Sequence, residues 1–199
     1  MAEANRPLGI TLTAGVDEAG RGPLAGPVVV AAVMLPASHG LTCLDDSKRL
    51  SPRQREDLFI PIQESSLAWH IESVGLDEIE QYNILGATLR GMQRCVMALD
   101  PQPGLALIDG NRLPAALPCP ARALVGGDGL EPCISAASIL AKVHRDRLMI
   151  QLHEHFPDYG FDRHKGYPTA AHIECLERFG PCAAHRRGFA PVKRLLKPD

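Results

Sequence analysis

The sequence predicts an α/β layer fold, a mixed central sheet flanked by helices. Three observations carry that reading. Two apolar segments near the start are joined by a glycine-rich turn, so they pair as neighbours with no helix between them. The second, Pro27 to Leu35, is apolar almost throughout, as suits a strand covered on both faces. Farther on, short apolar strands alternate with long helical stripes, the order of a layered domain.

The elements follow in order. Gly9 to Val16 and Pro27 to Leu35 read as the first two strands. Ser51-Pro52-Arg53-Gln54 is a helix start, with Ser51 as N-cap, Pro52 in the first turn and Gln54 closing a capping box. Pro61 is expected to end or kink that helix. Leu67 to Val74 alternates as a third strand, and Trp69 is expected in the core. From Asn83, the residues Leu85, Leu89, Met92, Val96 and Leu99 form one apolar helical face, stopped by Asp100-Pro101. Leu105 to Asp109 and Ala121 to Val125 read as buried strands, each ended by glycine. Ser135 to Phe156 reads as a long helix with Ala136, Leu140, Val143 and Ile150 inward, stopped by Pro157. A last helix follows Thr169 and ends at Gly180.

With 199 residues, 45% of them hydrophobic, the chain suits one domain with a proper core, here 1–199. No apolar run is long enough to span a bilayer and no export signal is evident, so a cytoplasmic protein is expected. Six cysteines lack C-x-x-C or zinc spacing, which predicts reduced thiols. A formal net charge of -2 argues against a bulk nucleic-acid binder. The segment from His185 to Lys197 is nonetheless basic and acid-free, either a local patch or a solvated tail.

The most informative string is Asp17-Glu18-Ala19-Gly20-Arg21-Gly22-Pro23. Two carboxylates abut a loop whose glycines bare the backbone and whose arginine can meet an anion. Asp109 and Asp128 also sit beside glycine at strand ends. Alone, each aspartate could be a turn-former or a cap. Gathered at one end of a sheet, where α/β ligand sites form, the four would repel unless cations neutralised them. Mg²⁺ suits such oxygen donors, and two ions about 3.5–4 Å apart support phosphodiester hydrolysis. Neighbours on a regular strand face opposite ways, so a bulge or strand end is expected at Asp17-Glu18.

These residues make the chain resemble the type 2 ribonuclease H (ribonuclease HII) family over nearly its whole length. The resemblance rests on Asp17 to Pro23, Asp46-Ser47-Lys48-Arg49-Leu50-Ser51, Asn83-Ile84-Leu85, Ile108-Asp109-Gly110-Asn111, Gly127-Asp128, Ser135 to Val143, and His164-Lys165-Gly166-Tyr167-Pro168-Thr169. It implies an RNase H-like fold, with residues from about 155 to 199 as a helical substrate-binding portion. It implies endonucleolytic cleavage of RNA in RNA–DNA hybrids and cleavage 5′ to single ribonucleotides in duplex DNA. The products would carry 5′-phosphate and 3′-hydroxyl ends, and the role would be ribonucleotide removal. Asp17, Glu18, Asp109 and Asp128 match the catalytic metal ligands, for two ions of Mg²⁺ or Mn²⁺. Gly20, Arg21 and Gly22 match the loop that reads the ribose 2′-hydroxyl, the group distinguishing RNA from DNA. Tyr167 matches the aromatic that packs on the following sugar. Lys48, Lys142, Arg145 and Lys165 are candidate phosphate contacts, with exposed helix charge the competing reading for Lys142 and Arg145.

Two positions depart from the family pattern: Gly126 stands where lysine is common and Gly188 where serine is usual. Neither removes a metal ligand. A monomer is expected, with a replication or repair protein as a further partner. The competing function is a catalytically idle binder of RNA–DNA junctions, which the four intact carboxylates disfavour. Type 3 ribonucleases H carry an added N-terminal domain, and the short stretch before Asp17 leads us to expect the type 2 form. A dinucleotide loop is disfavoured because a valine-rich strand follows the glycines. His153-Glu154-His155 is no zinc motif, since helix residues two apart diverge.

Overall fold

A computed structural model describes residues 12–42 and 44–196. Gly9 to Thr11 of the first expected strand, Cys43 and Lys197 lie outside the described residues. Five strands form one mixed sheet in the order β3-β2-β1-β4-β5. They are β1 (Thr13–Ala19), β2 (Val28–Met34), β3 (Ala68–Val74), β4 (Leu105–Asp109) and β5 (Ala121–Leu124). β1 and β2 run antiparallel, as do β2 and β3, while β4 lies parallel to both β1 and β5. The helices are α1 (Pro52–Ser65), α2 (Leu76–Met97), α3 (Pro132–His155), α4 (Phe161–His164), α5 (Ala170–Phe179) and α6 (Ala190–Lys193).

The sheet separates two apolar layers. Val16, Val28, Val30, Ala106 and Ile108 meet Ala87, Met92 and Val96 of α2 on one face. Ala19, Val29, Ala31 and Val33 meet Ala136, Ala137, Leu140 and Val143 of α3 on the other, where Phe59 and Ile62 of α1 also pack. Every residue of β2 is therefore buried, as its unbroken apolar sequence requires. Against Gly15, α3 approaches backbone to backbone: a Cβ there would lie 2.2 Å from the carbonyl carbon of Cys133. No side-chain rotation relieves that clash. Gly15→Ala is expected to lower stability by about 3 kcal/mol or more. Chemical denaturation checks this, and an unchanged midpoint would refute the close approach.

Several sequence expectations need correction. α1 runs through Pro61 to Ser65, because Phe59 and Ile62 on either side of it are anchored in the core. Its Ser51–Gln54 capping box forms as expected. α2 begins at Leu76, with a kink at Asn83 (φ 57°), whose Oδ1 accepts the Leu85 and Gly86 amides and caps the second half. The apolar stripe was visible only from that cap onward. Trp69 is 40% exposed on edge strand β3, and Ile150 is 46% exposed because Met149 takes the inward position. β5 is an edge strand, not a buried one, with Arg122 and Ala123 exposed. The five described cysteines are free thiols. Among the described residues no helix is long and apolar enough to cross a membrane.

Candidate active site

β1 continues through Asp17 and Glu18 in unbroken register, Asp17 opposite Ala31 and Glu18 opposite Val30. Of the expected bulge or strand end, no bulge forms, and the strand ends one residue past the pair, at Ala19. Because alternate strand residues face apart, Asp17 shares the α3 side with Ala19, while Glu18 lines a small cleft against Leu85, Thr88 and Met92 of α2. On its other edge, β1 pairs with β4 only as far as Val16 opposite Ile108. The next step up those two strands brings Asp17 and Asp109 to the same open end of the sheet.

Asp128 arrives on a single 3-10 turn, Gly127–Gly129, between β5 and α3. Asp109 accepts the Gly127 amide at 2.8 Å, and the Ser135 hydroxyl donates to the Asp128 carbonyl at 2.6 Å. Those two bonds lock the turn to β4 and to the start of α3. The Ser47 and Ser138 hydroxyls meet at 2.8 Å, which holds the Asp46–Lys48 segment over the same end of the sheet.

Electrostatics shows that these acids feel one another. Burial, then the charges of Glu18 and Asp109, push the Asp17 carboxyl well above the usual carboxylate range. Burial also raises Glu18, against the pull of Arg21, with Asp109 adding to the rise. Asp109 is raised by burial and by Asp128. One cation already rests among them: Lys48 Nζ lies 3.0 Å from Asp128 Oδ2. Burial would lower that ammonium, but Asp128, Asp46 and Asp17 together hold it above the ordinary lysine value. Among the described residues no group of three or more His, Cys, Asp or Glu is placed to hold a metal ion as the side chains stand. The acids are divided between the two sides of the β1 tip.

The Gly20–Gly22 loop follows β1 directly. Gly20 has φ +98°, and a Cβ there would lie 1.9 Å from Arg145 Nε, so only glycine fits. Arg21 extends outward and turns back to Glu18 at 3.3 Å. Tyr167 is 41% exposed, and its ring edge would be 3.6 Å from a Cβ on Gly22. Loop and tyrosine therefore share one surface.

The basic candidates divide. Lys142 pairs with Asp146 at 2.7 Å within α3, and Lys165 folds back onto the Asp162 carbonyl. Arg145 is neither a phosphate contact nor an exposed charge. It is 1% exposed and donates to the carbonyls of Ala25, Pro27 and Lys165. Arg186, read from sequence as part of a basic patch or tail, is 2% exposed. A long charged side chain so deeply buried leaves no local mark in the sequence. A Cβ at Gly126 or Gly188 would meet nothing within 4 Å, so both departures leave open space.

Two histidines secure the tyrosine segment from behind. His172 Nδ1 donates to the Tyr167 carbonyl at 2.9 Å, and its Nε2 accepts from His185 Nε2 at 3.1 Å. His185 Nδ1 in turn accepts the Cys182 amide at 3.1 Å. This chain of bonds requires both rings neutral, and burial holds His185 down at about 4. A cleft of about 520 Å³ lies elsewhere, between the start of α2 and residues 183–189. None of the four clustered carboxylates lines that cleft, so the carboxylate end of the sheet is the better catalytic candidate.

A family model described as Ribonuclease HII matches residues 14–192. The chain is 56% identical over 182 residues to a ribonuclease HII of Idiomarina loihiensis, covering 92% of this chain and 97% of that protein. The crystal structure of the ribonuclease H2 from Pyrococcus horikoshii OT3 superposes with a TM-score of 0.78 at 26% identity, over 92% of this chain and 96% of that one. The RNase HII of Archaeoglobus fulgidus, solved in a complex with PCNA, gives a TM-score of 0.71 at 26% identity, over 94% and 98% of the two chains.

Proposed function

Because the chain belongs to the ribonuclease HII family of endoribonucleases, which act on RNA–DNA hybrids, we propose that it hydrolyses the phosphodiester at its clustered carboxylates with two divalent cations. We extend the substrate to single ribonucleotides embedded in duplex DNA. The observation that carries this reading is the mutual electrostatic strain of Asp17, Glu18 and Asp109 at one open sheet end, with Asp128 beside them. The donor set fits hard divalent cations: all its groups are carboxylates, and a lysine is already drawn onto one of them. Asp17 and Asp128 would hold one side of the β1 tip and Glu18 the other, with Asp109 between. Donors on both sides suit two cation positions better than one.

Bound cations would activate water and neutralise charge on the phosphate. The chain's own residues then orient the strand. The exposed Arg21–Gly22 backbone, next to buried Gly20, can approach a ribose closely enough to sense its 2′-hydroxyl. The exposed Tyr167 ring beside Gly22 offers an apolar face for the next sugar. A binder without catalysis would gain nothing from acids massed before phosphate. The Archaeoglobus complex with PCNA supports a replication partner for this chain.

A labelled DNA duplex carrying one ribonucleotide tests the proposal. The expected result with Mg²⁺ or Mn²⁺ is a single cut 5′ to the ribonucleotide, leaving a 3′-hydroxyl and a 5′-phosphate. Tyr167→Ala is expected to reduce that cut by about 10–100-fold with cation affinity unchanged. Equal losses in cutting and in cation binding would contradict the role given to Tyr167. A duplex left intact while an all-RNA hybrid is degraded would remove the embedded ribonucleotide from the substrates.

A further inference from the structure

Two arginines lie buried beneath the Gly20–Gly22 loop, and their donors account for its shape. Arg186 Nη2 donates to the carbonyls of Gly20 at 2.7 Å and Pro27 at 3.1 Å. Its Nη1 donates to Arg21 at 3.0 Å and Pro23 at 2.8 Å, and its Nε to Gly26 at 2.9 Å. The Arg186 backbone amide takes the Leu24 carbonyl at 2.8 Å. Arg145 takes Ala25 at 3.2 Å and shares Pro27 at 3.0 Å. From Gly20 to Pro27, then, the Gly22 carbonyl alone among these described residues is not drawn inward.

The consequence follows from peptide geometry. In a trans peptide the carbonyl of one residue and the amide of the next point in opposite directions. Gly20 and Arg21 direct their carbonyls onto Arg186, so the amides of Arg21 and Gly22 face away from it. Both residues are exposed. Neither amide donates to any group among the described residues. Adjacent outward amides of this kind form an anion-binding concavity.

Charge supports the same conclusion. Neither guanidinium has a carboxylate partner among the described residues; every acceptor is a neutral carbonyl. Burial, and then the charge of Arg145, pulls Arg186 down to about 9, so it is still a cation at neutral pH. Buried cations without counter-ions are costly, and an anion arriving on the loop above would offset that cost.

We propose that Arg186, assisted by Arg145, is a positioning residue for substrate recognition. It fixes the loop carbonyls inward so that the Arg21 and Gly22 amides meet the sugar-phosphate backbone at a ribonucleotide, and the bound phosphate compensates its charge. The inference rests on the proposed reading of this loop as the ribose sensor.

The test is binding without cleavage. Wild type, Arg186→Lys and Arg145→Lys are titrated in excess chelator with labelled duplexes that differ by one ribonucleotide, and thermal midpoints are recorded alongside. Lysine keeps the charge but loses the planar fork. Wild type is expected to prefer the ribonucleotide duplex by about tenfold, and Arg186→Lys by less than about threefold. A folded Arg186→Lys with wild-type preference overturns the inference and leaves the cleavage reading intact. A wild type that cleaves nothing and shows no preference overturns both. Should Arg186→Lys fail to fold, the amide resonances of Arg21 and Gly22 in wild type decide. Selective shifts with the ribonucleotide duplex support the inference, and their absence contradicts it.

Discussion

Asp17→Asn is expected to abolish cleavage of a labelled RNA–DNA hybrid, by about 10³-fold or more, while raising the stability of the metal-free protein. The two effects share one cause. Asp17 is 4% exposed, beside Glu18 and Asp109, so its charge is costly in the absence of a cation. The sign follows from linkage. A carboxyl whose folded-state affinity for protons is raised binds more protons folded than unfolded, so stability falls as pH rises above the ordinary range near 4. Asparagine removes that cost at neutral pH and removes a cation ligand with it. Single-turnover cleavage and thermal unfolding in chelator, run on the same preparation, check both halves. A variant that is active, or one that is inactive and less stable, would be inconsistent with this origin.

Removing divalent cations from the wild type is expected to have an effect as large. Cleavage should stop in chelator and return with Mg²⁺ or Mn²⁺, because Lys48 and Arg21 set only two positive charges against four carboxylates. The returning cation should also stabilise the fold. A ligand at a hundredfold excess over its dissociation constant contributes about 2.7 kcal/mol, enough to shift a melting curve visibly. The shift is expected in wild type and lost in Asp109→Asn. A cation held by Asp128 would compete with Lys48 for that carboxylate, and a displaced Lys48 ammonium would be available to a phosphate, the role expected of it.

Much of this site was legible in the sequence because its chemistry is local. Asp17 to Pro23 is one continuous string, β4 ends at Asp109 as its apolar run suggested, and the Ser51 cap set the start of α1. The family resemblance added the roles. What escaped is tertiary. Arg145 and Arg186 read as surface charge because arginine is rarely buried, and only the folded chain brings the carbonyls of residues 20–27 around them. Asn83 caps a second helical segment, but nothing local revealed that a first segment precedes it. The bulge or strand end expected at Asp17-Glu18 followed from assuming that both acids must reach one point. The regular strand instead sends them to either side of its tip, and Asp109 bridges the gap.

Titrating Mn²⁺ into metal-free protein, followed by the loss of its free-ion paramagnetic signal, addresses that arrangement without reference to substrate. If Asp17, Asp109 and Asp128 belong to a common cation pocket, replacing each in turn by asparagine weakens Mn²⁺ binding by about tenfold or more. Wild-type affinity retained in Asp109→Asn or Asp128→Asn would mean that the carboxylates gathered at this end of the sheet do not act on one cation, and the proposed chemistry would fail with it.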